Sequence, residues 1–121
     1  MSAGEGGGGA PAAAPNAFVQ ALAEIRRDGD WARVAREFAL VKIDAENIVP
    51  LLGITSDDAA DLIAQLRDKG VKSVDALLTA SSRIQEDPAS GDFSAKGDLA
   101  SVTVKGALRQ IAALRDRVKG K

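Results

Sequence analysis

Three sets of charged side chains are spaced closely enough to do chemistry. Asp57, Asp58 and Asp61 place three carboxylates within little more than one helical turn, a set that could hold a divalent cation. Calcium, however, takes about six to eight oxygens from a loop with spaced acids and a glycine, and that pattern is missing here. The default reading is three carboxylates in the first turns of a helix, where the macrodipole favours them. Arg26, Arg27, Arg33 and Arg36 bring four guanidinium groups around one corner and could hold an anion or an acidic partner. Glu24, Asp28, Asp30 and Glu37 are interleaved with them, so ordinary surface pairing is the default. Lys105, Arg109, Arg115 and Lys119 are expected to share one broad arc of a C-terminal helix, opposite a stripe of Val104, Ala107, Leu108, Ile111, Leu114 and Val118. That arc could solvate a capping helix, reach a nucleic acid, or pack on another subunit. No aromatic residues are interleaved with it, which argues against a base-stacking surface.

Other chemistries are excluded by composition. The chain has no cysteine, histidine or tyrosine. Disulfides, thiolate metal sites and the commonest general base are therefore absent. A serine nucleophile would need a carboxylate or lysine as its base. Gly6 to Gly9 follow no strand and precede no Gly-Lys-Ser or Gly-Lys-Thr, so they are not a phosphate loop. The expectation is no enzyme, with no catalytic residue, cofactor or metal. No apolar run reaches the roughly 20 residues needed to cross a bilayer. Residues 1–15 also lack the basic start and apolar stretch of a secretory signal, so a cytoplasmic location is expected.

At 121 residues the chain is the size of one domain. Aromatics make up only 3%, so its core must be built of Leu, Ile, Val and Ala, with Phe18, Trp31 and Phe38 as large anchors. The net charge of −1 hides an asymmetry. From Lys105 to Lys121 six basic residues face one acid, a net +5 that leaves −6 for the rest. Asp44 to Asp68 alone carries six acids and one base.

The elements that must position these groups read as helices. Residues 1–15 are mostly glycine, alanine and proline and are expected to form a disordered leader; 16–121 form a single domain. Asn16 caps a first helix carrying Phe18, Val19, Leu22 and Ile25, which Gly29 stops. Asp30 is expected to cap a second, with Trp31, Val34, Ala35 and Phe38 on one face. Val41 to Ile43 is an extended connection, and Asp44 caps a short helix in which Pro50 predicts a kink or a restart. Gly53 ends that helix. Thr55 caps the next, with Asp58 three residues on as a capping-box variant, Ala59, Leu62, Ile63 and Leu66 as its buried stripe, and Gly70 as its end. Ser73 caps a helix bearing Val74, Leu77 and Leu78. Residues 83–97 show no periodicity and read as an internal loop, with Pro88, Gly91 and Gly97 as punctuation and Phe93 its one large apolar residue. Asp98 is expected to cap the final, longer helix over 98–119, with a short strand at Ser101 to Val104 the competing reading. The fold class is all-α, a compact bundle of five or six short helices.

Leu51-Leu52-Gly53-Ile54, followed by the helix from Ala59 to Gly70 and the segment to Leu78, resembles a helix-hairpin-helix module of repair and DNA-uptake proteins. The resemblance covers about residues 43–82. In that family a Gly-hydrophobic-Gly hairpin holds a DNA phosphate on backbone amides, which implies a role for Gly53, Ile54 and Thr55. Thr55 stands in place of the second glycine, and Asp57 and Asp58 stand where a phosphate would meet repulsion. The resemblance therefore implies the scaffold without its DNA contact. The same stretch also resembles SAM-like domains, which often bind one another or other proteins. Together these readings lead to a non-enzymatic protein–protein interaction module, an adaptor or a subunit of a larger assembly, whose partner is another protein or a second copy. The alternative is a DNA-binding accessory protein using the basic C-terminal helix.

Overall fold

A computed structural model describes residues 16–120; the leader expected over 1–15 lies outside them. The chain is all-α, with six α-helices among the described residues: α1 (Ala17–Asp28), α2 (Ala32–Glu37), α3 (Ala45–Leu52), α4 (Ser56–Asp68), α5 (Val74–Ser81) and α6 (Ala107–Val118). Between α5 and α6 come two short strands, β1 (Ile84–Glu86) and β2 (Phe93–Ala95), and a 3-10 turn at Gly97–Leu99. One apolar cluster runs through all of it, from Phe18 and Leu22 through Ile48, Leu62, Leu66 and Leu77 to Ile111 and Leu114. Helix α6 packs against α2, α3 and α5. No helix among the described residues is long and apolar enough to cross a membrane.

Four of the six helix N-termini are set by local side-chain caps. Asn16 Oδ1 accepts the amides of Phe18 and Val19 at 2.9 and 3.3 Å. Asp44 accepts from Asn47 at 3.2 Å, Thr55 from Asp58 at 3.1 Å and Ser73 from Ala76 at 3.2 Å. Each bond satisfies a donor that the helix itself leaves unpaired. At the far end of α4 the Gly70 amide reaches Arg67 O at 3.0 Å and the Val71 amide reaches Leu66 O at 2.9 Å. These are the two bonds of a Schellman stop, and buried Val71 and Leu66 supply the apolar contact that accompanies it.

Helix α3 runs through Pro50 without a break, where the proline predicted a kink or restart. Pro50 forfeits a single hydrogen bond, to Glu46, which lies in the exposed first turn. The helix is held from both sides, by Asp44 at its start and Gly53 at its end, and buries Asn47, Ile48, Leu51 and Leu52. Asn47 also anchors it sideways, donating to Lys42 O at 3.0 Å and accepting from Asn16 Nδ2 at 2.7 Å. The extended connection before α3 pairs with the entry to α5. Lys42 and Ser73 form an antiparallel bridge, with Ile43 N to Lys72 O at 3.1 Å and Val74 N to Val41 O at 2.9 Å.

Four expectations are corrected by tertiary structure. Asp30 does not cap α2; Trp31 takes that position in a helical conformation without a side-chain cap, and the Asp30 carboxylate pairs with Arg36 at 3.2 Å. Residues 83–97 are not a structureless loop. Ile84, Gln85 and Glu86 pair antiparallel with Ala95, Ser94 and Phe93, and Asp87 to Asp92 make the tip, where Asp87 accepts from the Ala89 amide and the Ser90 hydroxyl, both at 3.0 Å. The proline and glycines punctuate a hairpin. The last helix begins at Ala107, not at Asp98, and with 12 residues it is no longer than α1 or α4. Asp98 sits inside the 3-10 turn, and Ser101 to Val104 are neither helix nor strand. The Gln65 side chain holds that segment, donating to Thr103 Oγ1 at 2.7 Å and accepting the Thr103 amide at 3.0 Å. Gly106, at φ 80°, then turns the chain into α6.

Candidate interaction surfaces

Between α3 and α4 the chain turns at Gly53 and restarts at the Thr55 cap, the two helix boundaries expected from the sequence. Gly53 adopts φ 68° and ψ 37°, a left-handed conformation that penalises a side chain, and its amide closes α3 onto Val49 O. Nothing lies within 4 Å of a Cβ placed there, so the demand for glycine is conformational and not steric. Ile54 is half-buried against the core, and Thr55 caps α4. The Thr55 hydroxyl thus already occupies the Asp58 amide, one of the donors an incoming phosphate would use. Asp57 and Asp58 lie in that first turn. Asp58 and Asp61 border a shallow groove with Gln65 and Lys105. No group of three metal-ligating side chains is gathered among the described residues.

The four C-terminal cations expected on one arc are separated. Lys105 precedes α6 and lies in the irregular segment. Arg109 sets its guanidinium 5.4 Å from the centroid of the Phe93 ring, beside a groove shared with Val104 and Leu108. Arg115 turns inward. Its Nη1 donates to Ser81 O at 2.8 Å and Ile84 O at 3.0 Å, stapling α6 to the end of α5 and the start of β1. Its Nε meets Asp116 at 3.1 Å. Lys119 terminates α6, its own amide capping the helix. Two of the four, Lys105 and Lys119, flank α6 at opposite ends, and Arg115 is spent on architecture.

The arginines at the first corner divide in the same way. Arg33 bonds Glu37 at 3.0 Å and Glu24 at 3.2 Å, and those two carboxylates raise its guanidinium above the ordinary value. Arg36 pairs with Asp30 and Glu37, and Arg27 lies 3.8 Å from Asp28. Arg26 points elsewhere, donating to Pro50 O at the end of α3, and among the described residues it meets no carboxylate.

Arg26 shares its surroundings with Arg117 from α6. The two guanidinium carbons lie 5.7 and 5.1 Å from the centroid of the Trp31 ring, within reach of the attraction between a cation and the aromatic face. Arg117 likewise meets no carboxylate among the described residues. Together with Leu52, Gly53 and Gln110 these three side chains line a groove of about 370 Å³ along the α3–α4 turn. Trp31 is half-buried and packs on the core. Sequence reasoning assigned it to the core and left Arg117 out of the basic arc. The available signal was an isolated tryptophan at a corner already rich in arginine.

No protein-family model, curated protein or solved structure matches the chain.

Proposed function

We propose that this chain is a non-enzymatic protein–protein interaction module, an adaptor or a subunit of a larger cytosolic assembly. The reading is supported above all by the groove at Trp31. Two guanidinium groups far apart in sequence converge on one indole, and among the described residues no carboxylate pairs with either. Elsewhere the surface arginines of α1 and α2 are paired. Charge left over at an aromatic floor suits a contact with another macromolecule, since arginine and tryptophan are the residues that most often dominate interface energies. The absence of histidine and cysteine is in keeping with binding rather than catalysis.

Binding of DNA by the C-terminal cations is the less supported alternative. A phosphate track needs several free cations in a row, whereas Arg115 is committed to backbone carbonyls and Lys105 stands beside Asp58 and Asp61. Size-exclusion chromatography with light scattering, on the protein alone and with a short duplex at low and moderate salt, tests the choice. A defined mass that DNA does not change is expected. A complex with DNA that forms at low salt and dissolves at moderate salt would favour the alternative.

A further inference from the structure

We infer that the groove at Trp31 binds a short acidic segment of a different protein, one that carries two carboxylates flanking an apolar side chain. The inference rests on the interaction reading above and assigns its contact site. Arg26 and Arg117 rise from α1 and α6 on the two sides of the groove, and both are exposed. Arg26 spends a donor on Pro50 O, which fixes the guanidinium at the end of α3 while most of its five N–H groups stay available. Arg117 uses none on a carboxylate among the described residues. Such a planar fork donates two parallel hydrogen bonds to a carboxylate. The half-buried Trp31 indole, with Leu52 packed behind it in the lining, supplies the apolar surface for an aliphatic side chain. Gln110 adds a neutral donor and acceptor at the rim, suited to a peptide backbone.

The same geometry selects against a nucleic acid. A phosphate chain running on past Gly53 would meet Asp57 and Asp58 at the start of α4. A peptide segment that spans only the two guanidinium groups need not run on past Gly53.

The chain has one tryptophan and no tyrosine, so intrinsic emission reports on this groove alone. The test titrates the full-length protein, at low salt, with a ten-residue peptide of repeating Glu-Leu-Glu pattern. A Gln-Leu-Gln peptide of equal length and a ten-nucleotide oligothymidine are run in parallel. The expected result is a saturable change in Trp31 emission with the acidic peptide only, weakened about tenfold or more by Arg117→Gln and by Arg26→Gln. Arg117→Gln is the decisive variant, because among the described residues the Arg117 side chain holds no backbone carbonyl, and the variant is expected to keep the helical circular dichroism signal. Emission that ignores the acidic peptide, or a response that Arg117→Gln leaves unchanged, overturns the inference. So does tighter binding of oligothymidine, which would make the groove a nucleic-acid site. Emission that shifts on simple dilution of the protein would place a second copy in the groove and also overturn it. If the peptide fails while light scattering still shows an assembly indifferent to DNA, the groove assignment falls and the interaction reading stands.

Discussion

Arg115 and Arg117 are neighbours on α6, yet they belong to regions built on opposite terms. Arg115 finds its partners within the chain: the Ser81 and Ile84 carbonyls at the end of α5 and the start of β1, and the Asp116 carboxylate. Around Arg117 the guanidinium finds an aromatic face and open groove. One region joins secondary-structure elements and the other presents charge outward. Identical side chains two positions apart are thus assigned to architecture or to contact by what surrounds them, and not by their type.

The contrast can be broken most severely at the core that both regions share. Leu66 is fully buried beside the Val71 contact that stops α4. Leu66→Asp would bury an unpaired carboxylate, so it should cost more than about 4 kcal/mol and abolish the helical circular dichroism signal. Next comes Arg115→Ala. Its side chain is 19% exposed, and its loss leaves the Ser81 and Ile84 carbonyls without their donor, for an expected destabilisation of about 2 kcal/mol in urea unfolding. Thr55→Ala removes the cap of α4 and should cost about 1 kcal/mol in the same assay. The smallest effect belongs to Arg117→Ala, expected to change stability by no more than about 0.5 kcal/mol. A large loss of stability from Arg117→Ala, or none from Arg115→Ala, would erase the distinction.

Much of the helical frame was legible because it depends on rules that act over three or four residues. Asn16, Asp44, Thr55 and Ser73 all cap where their spacing places them, and Gly29, Gly53 and Gly70 all turn left-handed at helix ends. The region after Ser82 was less legible because distant partners decide it. Gln65 reaches Thr103 across 38 residues and keeps that segment out of both helix and strand. Arg115 reaches Ser81 across 34. A helical wheel drawn from Lys105 onward assumed a helix that Gly106 delays, and so it grouped cations that the fold separates. The groove at Trp31 is of the same kind. Arg26 and Arg117 belong to helices far apart in sequence, and only the packing of α6 across α2 and α3 brings them to one ring.

The bridge between Lys42 and Ser73 has a bearing on how the molecule opens. It ties the neck of the α3–turn–α4 segment with two backbone hydrogen bonds, and Arg67 reinforces it by donating to Ile43 O at 3.1 Å. Unzipping that neck would part α3 and α4 from α5 together, so the amide protons of Ile43 and Val74 should exchange with solvent in a single cooperative event. The α3–turn–α4 segment is then expected to open as one unit.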